Sequence, residues 1–147
     1  MEEKELLEER QSLFDQMLTG LAKQGWRQSY FHNGKGCCYR GPEGLKCAVG
    51  HLIPDSLYEP EMDANGGDLD DVDNILRESV TIEAVLLSGK ISRHYHFLIS
   101  VQEWHDNHLV DMEISMEEDR WNLLKDKVSH HRVEVKDSTY YEEAARG

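Results

Sequence analysis

Three cysteines and eight histidines are the side chains of this chain best able to do covalent or metal chemistry. Cys47 is the candidate nucleophile. A reactive thiolate needs a base that lowers its pKa and donors that hold an oxyanion. His51 is close in sequence, Gly50 offers a backbone N–H, and His105 with Asp106 can be brought near by the fold. Cys47, His51, His105 and Asp106 are therefore the residues an enzyme would use. The competing reading makes Cys47 a small apolar residue, facing inward with Leu45 and Val49 as alternate residues of a strand do. Buried structural cysteine is the commoner case, so no catalytic residue is assigned.

Metal chemistry has a thinner basis. His105 and His108 share a helix face and form the candidate metal pair. His94 and His96 diverge on a helix, and His130-His131 falls at a helix end, where a cation suits the dipole. The chain has no Cys-x-x-Cys pair and no His-Glu-x-x-His motif, so neither a metal nor a cofactor is expected. Calcium fails too: with Glu61, Asp63 and Asn65 as the first loop ligands, Val72 stands where a bidentate Glu must close the site. For a small anion such as a nucleotide, Tyr39, Arg40 and Lys46 among glycines are the candidate ligand-binding set. No Walker pattern and no Gly-x-Gly-x-x-Gly accompanies them. The alternative is that Arg40 pairs with an acid of the following acidic loop or packs on Tyr39.

The elements that must position these residues read as mostly helical. Leu6, Leu7, Leu13, Phe14, Met17, Leu18 and Leu21 recur at helical spacing, and Gly25 is a stop. Cys37–Arg40 and Leu45–Val49, joined by Gly41-Pro42-Glu43-Gly44, predict a β-hairpin. Glu59 to Asp73 is an acidic loop without Lys or Arg. A helix is expected over about 70–88, stopped by Gly89, and another after a Ser92 cap, with Tyr95, Leu98, Val101, Gln102, His105 and Leu109 inward. Ser115-Met116-Glu117-Glu118 is a capping box before the helix of Trp121, Leu124 and Val128. The fold class is thus α+β, mostly α: about four helices around a short hairpin and an irregular Gly/Pro-rich loop. Residues 1–131 form one domain. Residues 132–147 are expected to be a mobile tail, with Val133 and Val135 as an edge strand at most.

Composition narrows the function classes. The length of 147 residues suits one domain with a real core. A net charge of −13, from 29 acids against 16 Lys and Arg, repels phosphate backbones and anionic lipid. Direct nucleic-acid binding is not expected, although mimicry of DNA by surface carboxylates is compatible with such a surface. No apolar run is long enough for a membrane span, and the acidic N-terminus does not read as a signal peptide, so a cytoplasmic location is expected.

The densest motif runs from Tyr39 to Met62: Tyr39-Arg40-Gly41-Pro42-Glu43-Gly44-Leu45-Lys46-Cys47-Ala48-Val49-Gly50-His51-Leu52-Ile53-Pro54-Asp55, then Tyr58, Pro60 and Met62. It resembles a family of small uncharacterised phage and bacterial proteins that share this stretch. Gln102 and His105-Asp106 resemble a helix of the same family. The resemblance implies a phage or mobile-element setting and carries no reaction with it. The expectation is a non-enzymatic binding protein that acts on a host protein, in host takeover or counter-defence. The alternatives are a cysteine-dependent hydrolase or transferase using Cys47, and a small anionic ligand binder at the hairpin loop.

Overall fold

A computed structural model describes residues 1–27, 29, 38–64, 68–108 and 118–147, the side chains of 106–108 excepted. Among these residues the chain forms six α-helices: α1 Glu3–Lys23, α2 Leu69–Glu78, α3 Ile82–Arg93, α4 Tyr95–His108, α5 Glu118–Lys127 and α6 Ser138–Arg146. Short 3₁₀ turns lie at Pro42–Gly44, Val49–Leu52, Pro60–Asp63 and Ser129–His131. No described helix is long and apolar enough to cross a membrane.

The heptad-like spacing of α1 does what it predicts, and Leu13, Phe14, Met17, Leu18 and Leu21 are all buried. The helix stops at Gly25, whose φ is 69°. Trp26 N donates to Leu21 O at 2.8 Å and Gly25 N to Ala22 O at 2.9 Å, which closes the end in a Schellman arrangement. Trp26 is thereby turned back into the core. Around it, Trp121 is the hub of an aromatic cluster. Its ring meets Trp26 at 5.6 Å, Trp104 at 6.0 Å and Tyr141 at 5.9 Å between centroids, all tilted or edge-on. Such geometry suits the ring quadrupoles. Phe14 joins from α1, against Tyr141 and Phe97.

The α+β expectation is overturned, because no strand and no hairpin occurs among the described residues. Cys37, the expected start of the first strand, lies outside them. The reason is where the backbone donors and acceptors of 39–46 go. Lys46 N donates to Gln24 Oε1 at 3.1 Å, and Gln24 Nε2 donates to Lys46 O at 2.7 Å. One side-chain amide at the C-terminal cap of α1 thus stands where a neighbouring strand would be. Tyr39 N and Arg40 N donate to the two carboxylate oxygens of Asp63, at 2.8 and 3.3 Å. Leu45, Cys47 and Val49 are nonetheless all buried, without a strand to alternate on.

The helix expected over 70–88 is two helices. Ser79 is extended at ψ 133°, and Thr81 Oγ1 accepts Ala84 N at 3.2 Å to cap α3. Asp68 caps α2 through Asp70 N at 2.9 Å. Gly89 therefore lies inside α3, and the break before α4 falls at His94 rather than behind a Ser92 cap. Ser115 to Glu117 of the expected capping box are outside the described residues. Residues 132–147 carry α6, whose Tyr141 is fully buried and donates its hydroxyl to Asp15 Oδ1 at 2.8 Å. Val133 and Val135 pack against the core without forming a strand.

Candidate functional site

The segment Tyr39 to Asp63 wraps Arg40, and every N–H of its guanidinium has a partner. Nη1 donates to Tyr39 O at 3.0 Å and Gly50 O at 2.9 Å. Nη2 donates to Ile53 O at 2.6 Å and Asp55 Oδ1 at 3.0 Å, and Nε reaches Asp55 Oδ1 at 3.2 Å. The planar head lies 4.8 Å from the Tyr58 ring centroid. Arg40 thus closes the Val49–Leu52 turn by holding Gly50 O within it and Ile53 O just after it, which a rigid five-donor fork can do and a lysine cannot. Gly50 is required there: a Cβ on it would stand 2.7 Å from Tyr39 O. Asp63 completes the wrap by accepting the Tyr58 hydroxyl at 2.6 Å. Burial, and the Asp63 carboxylate beside it, push the Tyr58 pKa upward.

Of the expected ligand set Tyr39, Arg40 and Lys46, Tyr39 is 1% exposed and Arg40 has its donors turned inward. Lys46 alone lines an open cleft. The acid that meets the Arg40 side chain is Asp55, not a member of the acidic loop. That loop contributes Asp63 instead, to the backbone.

Cys47 is fully buried. Gln102 on α4 donates Nε2 to its sulfur at 3.2 Å, and Gln102 Oε1 accepts Val49 N at 2.9 Å. The amide therefore ties the cysteine turn to α4. His51 Nε2 donates to Gln24 Oε1 at 3.0 Å. Both Gln24 amide hydrogens are already directed to Arg27 O and Lys46 O, so Oε1 must accept and the imidazole proton sits on Nε2. Burial, then the charges of Lys46, His105 and Arg40, push the His51 pKa down to about 3. His105 is fully buried, donates Nε2 to Trp26 O at 3.0 Å, and is pushed down to about 4 by burial. Both imidazoles are neutral near pH 7. Neither is matched to general-base work there, and neither supplies the imidazolium that would hold a thiolate. The side chains of Asp106 and His108 lie outside the described residues. Among the described residues no group of three His, Cys, Asp or Glu is placed to hold a metal ion.

The remaining histidine of note is His94, in the corner between α3 and α4. It is 1% exposed, with Nδ1 accepting Arg10 Nε at 3.1 Å and Nε2 donating to Glu9 Oε1 at 2.9 Å. Glu9 also takes Arg93 in a two-point pair at 2.9 and 3.0 Å. This polar knot fastens α1 to the α3–α4 corner.

Two surfaces face outward instead. One is the cleft of Lys46, between the end of α1 and the 43–51 segment. The other is the outer face of α3, where Ile82, Val85 and Leu86 are exposed opposite the buried Ala84, Leu87, Ser88 and Ile91. Sequence reasoning named Lys46 as a ligand candidate but not Lys23 and Arg27 beside it, and it missed the α3 face and Gln24 and Asp63 as organisers. A signal for the α3 face was present: its apolar residues fit one helical stripe only partly, because they form two. No family profile, no curated protein and no solved structure matches this chain.

Proposed function

We propose that this chain is a small, acidic, non-enzymatic binding protein of a phage or mobile element, acting in the cytoplasm by binding a host protein. The observation that carries the reading is the outer face of α3. Ile82 is 78% exposed, Val85 56% and Leu86 60%, and Val80, just before the helix, is 96% exposed. Ile82, Val85 and Leu86 stand at i, i+3 and i+4, so they form one stripe. An uncovered apolar stripe on a helix marks an interaction site. Each such side chain stabilises a complex by about 1.5–3 kcal/mol when fully covered.

The surroundings of the stripe define the partner. Glu78 and Glu83 flank it, both exposed. Beside it, a cleft of about 400 Å³ has Leu57 and Ile75 in its wall and Glu59 and Glu78 among its acids. Such a cleft suits the aliphatic stem and charged head of a Lys or Arg. The partner is therefore a host protein surface that is apolar at its centre and basic at its rim, complementary to a chain of net charge −13. The likeness of Tyr39–Met62 to phage and bacterial proteins supports the setting. The buried Cys47 and the neutral His51 and His105 support a role without catalysis. Against DNA mimicry stand acids already paired with cations, among them Glu9 with Arg93, Asp15 with Lys136 and Asp73 with Arg77.

The test compares the native chain with Val85→Asp and Leu86→Asp, each purified from the host background and weighed intact by native mass spectrometry. The expected result is a stoichiometric host protein on the native chain, lost from both variants while their circular dichroism and Tm are unchanged. A bare monomer, a homodimer alone, or a host protein retained equally by the variants overturns the reading.

A further inference from the structure

The cleft at the end of α1 carries charge of the wrong sign for this molecule. Lys23, Arg27 and Lys46 line it, with Glu43 as its only acid among the described lining residues. The chain as a whole has 29 acids against 16 Lys and Arg, so a wall with three cations to one acid reverses the composition. We infer that this cleft binds the diphosphate group of a small, nucleotide-sized ligand.

The geometry favours an anion in several independent ways. Lys23 lies in the last turn of α1, Arg27 follows the Gly25-Trp26 reversal that ends it, and Lys46 comes from the 43–51 segment. The exposed Lys23 takes part in no ion pair among the described residues. Arg27 engages Glu43 through Nη2 at 2.9 Å, and the rest of its fork has no partner among the described residues. Lys46 Nζ is 3.8 Å from Asp55, a loose pair whose acid is 83% exposed. Two of the terminal carbonyls of α1 are covered. Leu21 O accepts Gln24 N and Trp26 N, and Ala22 O accepts Gly25 N. The Gln24 amide is wholly committed to Arg27, Lys46 and His51, so the floor of the cleft is fixed before any ligand arrives. The His51 pKa is lowered chiefly by burial, with the charges of Lys46, His105 and Arg40 adding to it.

Charge and size then select the class. Three cations match the two to three negative charges of a diphosphate better than the single charge of a carboxylate. A cleft of about 620 Å³ is of the size that small-molecule sites have, and far larger than a bare phosphate needs. The site is remote in sequence from α3 and does not depend on the protein-binding reading.

The test is calorimetric titration at low salt with inorganic pyrophosphate, ADP and adenosine. Pyrophosphate and ADP are expected to bind saturably with Kd below about 1 mM, and adenosine not to bind. Lys23→Gln and Lys46→Gln, both at solvent-facing positions, are expected to weaken ADP about tenfold each, the loss of one charge-assisted contact. Leu86→Asp is expected to bind ADP as the native chain does, which separates this site from the α3 face. ADP binding with pyrophosphate excluded, adenosine binding as well as ADP, or native affinity for ADP in both lysine variants overturns the inference. So does the absence of saturable binding up to about 10 mM.

Discussion

Replacing Arg40 with lysine keeps the charge and removes the fork. The guanidinium now satisfies three carbonyls, of Tyr39, Gly50 and Ile53, and reaches Asp55. Asp55 is 83% exposed, so water replaces that bond and its loss costs under about 1 kcal/mol. The carbonyls belong to buried residues, since Tyr39 and Ile53 are 1% and 2% exposed and Gly50 is buried. A lysine reaching the same place recovers one of the three. Two carbonyls then lose a charged donor, at about 1.5 kcal/mol each, or about 3 kcal/mol in all. With a urea slope of about 2 kcal/mol/M, the unfolding midpoint falls by about 1.5 M. The assay is equilibrium urea unfolding followed by tryptophan fluorescence, since Trp26, Trp104 and Trp121 share the core. Asp55→Asn serves as the companion and is expected to cost under about 1 kcal/mol. If Arg40→Lys unfolds within about 0.3 M of the native chain, or no earlier than Asp55→Asn, the carbonyl-holding role is refuted.

Two further predictions concern His51 and His105. Gly20→Ala, inside α1, ordinarily gains up to about 1 kcal/mol from helix propensity. Here the new Cβ would stand 2.4 Å from Cγ and Nδ1 of His51, whose ring is held by Gln24, so a net loss of about 1–2 kcal/mol and a Tm lower by about 5 °C are expected; an unchanged or higher Tm defeats the argument. For His105 the folded pKa is about 4 against an ordinary 6.5, so between these values the unfolded chain binds more protons and stability rises with pH. Its contribution is complete above about pH 6.5 and drains away toward pH 4, by about 3 kcal/mol. His105→Gln removes the titrating group, so urea midpoints taken from pH 7.5 to 4.5 should fall less steeply for the variant, and parallel curves contradict the assignment.

The helices were legible where one face alone is buried. α1 shows a single stripe and a glycine stop, and α5 shows Trp121 and Leu124 on one side. α3 was illegible as a separate helix because it is apolar on two faces, which blurs the period, and because Thr81 hides its cap inside an apparently continuous run. The hairpin failed for a different reason. Residues 39–40 and 45–46 do carry the alternation of strands, and Leu45, Cys47 and Val49 do turn inward. What alternation cannot reveal is who satisfies the backbone. Gln24, more than twenty residues upstream, and Asp63, as far downstream, take the bonds that a ladder would have made. Long-range side-chain partners of this kind leave no local signature.

The motif Tyr39–Met62 was read for chemistry because its residue types are those of active sites: an arginine, a cysteine, a histidine and two close glycines. In the fold each is turned to holding a segment whose only regular structure is short 3₁₀ turns. Arg40 replaces a ladder for the Val49–Leu52 turn. Gln102 spans Cys47 and the Val49 N–H, His51 closes on Gln24, and Gly50 lets the Tyr39 carbonyl approach. A segment with few backbone-to-backbone bonds needs side chains that make several bonds each, and those are the same polar, multivalent residues that catalysis favours. Residue type alone therefore points to the motif for the wrong reason. The discriminating property is whether a side chain has donors left over once the backbone is satisfied. By that measure Arg40 is structural. By the same measure Lys23, the Lys46 ammonium, loosely paired with Asp55, and the apolar stripe of α3 are the side chains least committed to the fold, which is why the two proposed surfaces rest on them.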